Sequence, residues 1–195
     1  MRSDQKERNP EHIDGFTPLE TAGIQRRGLR SLTGFTFAVL TVSDRCSRGE
    51  SKDESGKIII DIANTINGQN IQYEIIPDEI EVIKEKLFSY CDELKIDIVF
   101  TTGGTGLGPR DVTPEATKEV AQKIIPGISE MIRLEGVKKT KNAALSRGIS
   151  AMRGKTLIIN LPGSPRGVRE SLSAILGLIP HALDMIKGKE HSDIL

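Results

Sequence analysis

A chain of 195 residues is long enough for one domain with a substantial apolar core. Its 27 basic and 27 acidic residues cancel, which excludes the global field that draws proteins to nucleic acid or anionic membranes. Trp is absent and aromatic residues are sparse, which argues against stacking platforms for single strands; no apolar run approaches the roughly 20 residues that span a bilayer.

Residues 1–34 are polar and punctuated by Pro10, Gly15, Pro18, Gly23, Gly28 and Gly34. They carry no signal-peptide run, and Asp4, Glu7, Glu11, Asp14 and Glu20 are too acidic a set for a transit peptide, so the cytoplasm is the expected compartment. The segment reads as an extension, with Phe16, Leu19 and Ile24 as candidates to dock on the body or on another subunit. The body is expected over residues 35–188, followed by a short tail, 189–195. Cys46 and Cys91 share no metal or redox spacing and are read as reduced thiols.

The first element is the β-rich apolar run Phe35–Val42, with the character of a buried strand in a parallel sheet, ending at Ser43-Asp44. A polar loop, Arg45 to Glu54, leads to an amphipathic helix over about Ser55–Ile66, stopped by Asn67-Gly68. Ile71–Ile76 is a second strand, and Pro77-Asp78-Glu79 opens a second helix carrying Ile80, Ile83, Leu87 and Leu94. Ile96–Thr101 is a third strand, followed at once by Thr102-Gly103-Gly104-Thr105-Gly106. Thr113 is read as the N-cap of a helix with Pro114 at its start, and a further helix covers about Ile128–Lys138. Lys155–Asn160 reads as a late strand, Leu161–Pro165 as its exit loop, and Val168–Ile186 as one closing helix. The βαβαβα alternation implies an α/β fold of three layers, α/β/α, around a mostly parallel sheet with right-handed crossovers.

Ligands of such folds bind outside the carboxyl ends of the strands. The loops at Ser43-Asp44, Asp78, Thr101–Asp111 and Asn160–Pro165 are therefore expected at one edge. Glycines at 103, 104 and 106 let the backbone approach an anion and expose N–H groups to it, although the spacing is neither a Walker A nor a Rossmann fingerprint, and a tight turn has the same look. Arg110 suits a phosphate and Asp111 a divalent metal; equally, the two are partners within a loop, or Asp111 caps the next helix. Asp44 and Asp78 fit helix N-terminal carboxylates as well as site acids. Asn160-Leu161-Pro162-Gly163-Ser164-Pro165 is either a second ligand loop or a turn in which Ser164 caps a helix and Pro165 opens it. Ser146 and Arg147 offer a hydroxyl and a guanidinium. His12, His181 and His191 lack metal-ligand spacing.

Thr102–Gly106 through Arg110-Asp111-Val112-Thr113-Pro114-Glu115-Ala116-Thr117 closely resembles the molybdopterin-binding domains of the molybdenum cofactor biosynthesis family. The likeness extends over Thr41–Asp44, Ile76–Glu79, Leu145-Ser146-Arg147 and Asn160–Gly163, and covers about Phe35 to Gly188. The resemblance implies a three-layer α/β protein, usually trimeric, with a pocket for molybdopterin and ATP. In the adenylyltransferase branch a molybdopterin phosphate oxygen attacks the α-phosphorus of ATP with Mg²⁺ present, and the product passes to the molybdenum insertion enzyme. Carried over by motif, Asp111 and Asp78 are the catalytic pair and metal carboxylates. Thr102, Gly103, Gly104, Thr105, Gly106, Arg110, Ser146 and Arg147 would hold the pterin and its phosphate. Ser43, Asp44, Asn160, Pro162, Gly163 and Ser164 would face the nucleotide. A sister branch that binds molybdopterin with little or no catalysis, or a carrier that hands it on, is the alternative; the loop Arg45–Gly56 leans toward the adenylyltransferase branch.

Overall fold

The computed structural model of the chain describes residues 34–188. The expectations for residues 1–33 and for the tail lie outside them. In chain order the elements are β1 (Phe35–Val42), α1 (Asp44–Ser47), α2 (Ser55–Asn64), β2 (Gly68–Ile76), α3 (Ile80–Phe88, extended by one π-turn, Ser89–Glu93), β3 (Ile98–Thr102), α4 (Thr113–Val120), β4 (Lys123–Ile124) and α5 (Pro126–Val137). A 3₁₀ turn (Lys141–Leu145), β5 (Ser150–Arg153), β6 (Thr156–Leu161), α6 (Pro165–Ile175), a second 3₁₀ turn (Leu176–Leu178) and α7 (Ile179–Ile186) complete it.

The strands form one six-stranded sheet in the order β2-β1-β3-β6-β5-β4. β2, β1, β3 and β6 are mutually parallel, with Phe37 opposite Ile98 and Ile98 opposite Leu157. β5 runs antiparallel to β6, and β4 antiparallel to β5. The sheet is thus mostly parallel, as expected, with an antiparallel edge that the sequence reading did not contain. β4 has two residues and β5 four, too short to carry a readable alternation.

β1 shows why its sequence carries apolar residues on both faces rather than on one. Phe35, Phe37 and Val39 enter one core with Ile59, Phe100, Leu172 and Leu183, beneath α2, α6 and α7. Ala38, Leu40 and Val42 enter the other with Ile83, Leu87, Val99 and Ile158, beneath α3 and α4. Successive side chains alternate faces, and helices cover both, so every position of the strand is buried or nearly so. Phe37 meets Phe100 edge-on at 6.1 Å between ring centroids.

Three local expectations change. The closing helix is two helices, α6 and α7, parted by the 3₁₀ turn at Leu176–Leu178. Pro180 lies in the first turn of α7, where its missing N–H costs nothing. Thr113 is the first residue of α4, not its cap; its hydroxyl donates instead to the Gly103 carbonyl at 2.9 Å. The start of the Arg45–Glu54 loop is helical, with Ser43 as N-cap, its hydroxyl oxygen accepting from the Cys46 N–H. Cys46 and Cys91 are free thiols. Among the described residues no helix is long and apolar enough to cross a membrane.

Candidate active site

The segments that follow β1, β2, β3 and β6 meet at the carboxyl edge of the parallel strands, around a cleft of about 530 Å³. Of the residues predicted from sequence, Ser43, Asp78, Thr102, Gly103, Gly104, Asp111 and Gly163 line it.

The glycine loop is fastened on every side. The Thr102 hydroxyl donates to the Pro162 carbonyl at 2.7 Å, and the Thr113 N–H to the Gly104 carbonyl at 3.1 Å. Gly103 and Gly104 have φ of +97° and +62°. A Cβ at Gly103 would stand 2.2 Å from the Val42 carbonyl oxygen, so neither the conformation nor the space admits a side chain. Where this loop passes the post-β6 segment, Gly163 faces Gly103: a Cβ at Gly163 would lie 3.2 Å from the Gly103 Cα. The loop also runs against both site carboxylates. A Cβ at Gly104 would come within 3.0 Å of Asp78 Oδ1, and one at Gly106 within 2.9 Å of Asp111 Oδ2.

Asp78 and Asp44 exchange bonds: the Asp44 N–H donates to Asp78 Oδ2 at 2.7 Å and the Asp78 N–H to Asp44 Oδ1 at 3.1 Å. Arg110 then closes a fork on Asp44, at 3.0 Å from Nε to Oδ2 and 2.9 Å from Nη2 to Oδ1. Hydrogen bonds from Arg110 and from the Asp78 N–H hold the Asp44 carboxyl below the usual carboxylate range. Burial pushes Asp78 the other way, and the negative charges of Asp44 and Asp111 add to it, against the Asp44 N–H and Arg110. Asp111 folds back on its own loop, its Oδ2 accepting from the Gly108 N–H at 2.7 Å. Among the described residues no hydrogen bond reaches Oδ1 of Asp78 or of Asp111.

The remaining predicted residues are engaged around the cleft rather than in its wall. Arg147 is a brace. Its backbone N–H donates to the Thr105 carbonyl at 2.9 Å, its Nε to the Gly106 carbonyl at 2.6 Å, its Nη2 to the Asp111 carbonyl, and its Nη1 pairs with Glu115. The second Glu115 oxygen is buried without a partner among the described residues. Asn160 is 3% exposed and lies below the site, facing α4; its amide donates to the Thr101 and Thr117 hydroxyls, both at 2.9 Å, and accepts from the Ile149 N–H. Ser164 caps α6 through the Gly167 N–H, with Pro165 at the first helical position. Ser146 ends the 3₁₀ turn, outside the cleft lining.

Sequence reasoning missed the outer wall. Asp53 is buried at the cleft and accepts from the Thr41 hydroxyl, from the Tyr73 hydroxyl at 2.8 Å and from the Gly56 N–H at 2.9 Å. Burial and the Asp53 charge push the Tyr73 phenol far above its usual value, so it stays a donor. Gly56 makes the latch possible, since a Cβ there would meet Asp53 Oδ2 at 2.3 Å. An Asp three residues before a Gly at a helix start is the available signal; a polar loop reading hides it. Arg45 and Lys52 also line the cleft.

The family described as "Probable molybdopterin binding domain" matches residues 38–181. A molybdopterin adenylyltransferase of Helicobacter pylori (strain J99) is 46% identical over 154 residues, covering 78% of this chain and 88% of that protein. The molybdopterin adenylyltransferase of Escherichia coli (strain K12) is 32% identical, covering 78% and 85%. Among solved structures, the molybdopterin biosynthesis enzyme MoaB of Thermus thermophilus superposes with a TM-score of 0.76 at 48% identity, covering 80% of this chain and 98% of its own. The matched span takes in all four loops of the cleft, and the chain belongs to the family of molybdopterin-binding domains.

Proposed function

We propose that this protein is a molybdopterin adenylyltransferase, transferring AMP from ATP to the molybdopterin phosphate with release of pyrophosphate. The observation that carries the reading is the pair of carboxylates, Asp78 and Asp111, set against a glycine loop in one cleft, each with Oδ1 open to a ligand. The relatives that bear the activity in their names match over 78% of this chain.

The donor set fits Mg²⁺. Two carboxylates are what that ion takes from a protein when substrate phosphates and water complete its shell, and among the described residues no cluster of three or more acidic, His or Cys ligands forms a closed cage. Asp78 and Asp111 are the residues that would hold it, and it would supply charge neutralisation on the α-phosphate. The chain's own residues do the positioning. The Thr102, Thr113 and Arg147 bonds keep the glycine loop in one arrangement at the cleft, with the Gly103 N–H held by the Leu161 carbonyl, and the remaining loop amides would meet the anionic substrate. A molybdopterin phosphate oxygen forms the new bond to the α-phosphorus as the bond to the bridging oxygen breaks, and the electron pair leaves with pyrophosphate. No enzyme–AMP adduct is needed.

We infer that the working assembly is a homotrimer in the cytoplasm that passes its product to the molybdenum insertion enzyme. Leu134 and Val137 of α5 and Leu145 of the adjoining turn are exposed and supply apolar surface for subunit contact. The test mixes purified protein, molybdopterin, Mg²⁺ and α-labelled ATP. Label on the pterin, lost in Asp111→Asn while pterin binding is retained, supports the reading. Tight pterin binding with no transfer would favour a carrier instead.

A further inference from the structure

The glycine-loop arginines are occupied. Arg110 forks onto Asp44, and Arg147 is divided among two carbonyls and Glu115. Yet a nucleotide whose α-phosphate sits at Asp78 and Asp111 extends a polyphosphate tail that needs positive charge of its own. Two cationic side chains line the cleft among the described residues, Arg45 and Lys52, against four carboxylates, Asp53, Glu54, Asp78 and Asp111. Neither cation makes a salt bridge or side-chain hydrogen bond with another described residue. Glu50, which feels the Arg45 charge, is already gripped by Arg48 at 2.7 and 3.0 Å.

Both cations stand on fixed footings. Arg45 lies in α1, which the Ser43 cap and the Asp44–Asp78 exchange hold to the ends of β1 and β2. Lys52 directly precedes Asp53, which is latched to Thr41, Tyr73 and Gly56. The segment between them is closed by the Glu50 N–H bonding to the Arg45 carbonyl at 2.9 Å. Hydrogen bonds pin the backbone on both sides of these charges while the side chains are exposed, the arrangement expected of groups that wait for an anion.

We infer that Arg45 and Lys52 form a subsite for the β- and γ-phosphates of the nucleotide and hold pyrophosphate as it departs. The inference rests on the adenylyltransferase reading. As the bond between the α-phosphorus and the bridging oxygen breaks, its electron pair settles on that oxygen, and the two cations take up the added negative charge. The new bond to the pterin phosphate oxygen forms on the opposite side of the phosphorus.

The experiment uses the full chain with Arg45→Ala, Lys52→Ala, Arg45→Lys and the double alanine variant. It measures KM for ATP, KM for molybdopterin, inhibition by pyrophosphate and inhibition by AMP. Loss of one charge-assisted contact is expected to raise KM for ATP and the inhibition constant of pyrophosphate about tenfold. KM for molybdopterin and the inhibition constant of AMP should stay within about twofold, and Arg45→Lys should recover part of the loss. Unchanged pyrophosphate inhibition in an active double variant overturns the subsite and leaves the adenylyltransferase reading standing. Equal weakening of AMP and pyrophosphate overturns it too, by showing a general field effect. Wild-type protein that binds molybdopterin but neither binds ATP nor labels the pterin removes the function reading, and the subsite with it.

Discussion

Replacing Arg147 by alanine removes the Nε bond to the Gly106 carbonyl, the Nη2 bond to the Asp111 carbonyl and the pairing with Glu115 in one step. A shielded bond from a charged donor contributes about 1.5–3 kcal/mol, but the Arg147 side chain is 35% exposed and that of Glu115 45% exposed, so water screens the pair. Two carbonyl bonds at about 1 kcal/mol each, with at most about 1 kcal/mol from the ion pair, give about 2–3 kcal/mol. That loss falls on the order of the segment from Gly106 to Asp111, because the side-chain brace holds it at both ends. If transfer needs the segment in this one arrangement, kcat falls about 30- to 150-fold, since each 1.4 kcal/mol or so is a factor of ten.

The assay is steady-state transfer of label to molybdopterin, with KM for each substrate. Arg147→Lys should recover little, because an ammonium cannot satisfy two carbonyls and a carboxylate in the plane of a guanidinium. The double variant Arg147→Ala/Asp111→Asn should be no slower than Asp111→Asn alone, as expected when one residue acts through the other. A normal kcat with a raised KM for molybdopterin would rule out the bracing role, for it would make Arg147 a direct phosphate ligand. Additive losses in the double variant would refute it as well.

Asn160→Ala should cost about 3 kcal/mol of stability, from two buried and one part-buried hydrogen bond at about 1 kcal/mol each, and lower Tm by roughly 6–12 °C. KM for ATP in the folded variant should not change; an unaltered melting curve with weakened ATP binding would return Asn160 to the nucleotide. At the opposite end of the sheet, Asp97 accepts from the Thr36 N–H at 2.8 Å and from Lys187 at 2.9 Å. Burial alone would raise its carboxyl, but these bonds outweigh burial and hold it below the ordinary value. A depressed folded value stabilises above the ordinary aspartate range and is lost as pH falls through it. Asp97→Asn should therefore melt lower than wild type at neutral pH, with the gap closing in acid. A gap that persists unchanged in thermal melts at low pH would show that ionisation is not what matters there.

The parallel core of the sheet, and the edge at which its acid- and glycine-rich loops gather, are legible in the residues alone. Apart from Thr36 and Thr41, Phe35–Val42 is apolar on both of its alternating faces because helices cover both, and the acid- and glycine-rich segments each follow such a strand. The family was legible in the glycine loop and the segments around it, since a backbone that must take positive φ beside a neighbouring strand admits little but glycine. Which polar side chains face the cleft depends on contacts between segments far apart in the chain. Arg110 and Arg147 have the chemistry of phosphate ligands, and only their neighbours in space, Asp44 for the one, Gly106, Asp111 and Glu115 for the other, turn them to other tasks. Asn160 belongs to a motif yet points into the core, because side chains alternate along β6 and its turn falls on the α4 face. Arg45 in the single-turn helix α1, and Lys52 and Asp53 in the loop after it, offer no periodicity to read; a partner 20 residues from Asp53, Tyr73, fixes where that loop goes. Residue type sets what a group can do, and hydrogen bonds between segments distant in sequence set where its charge is delivered.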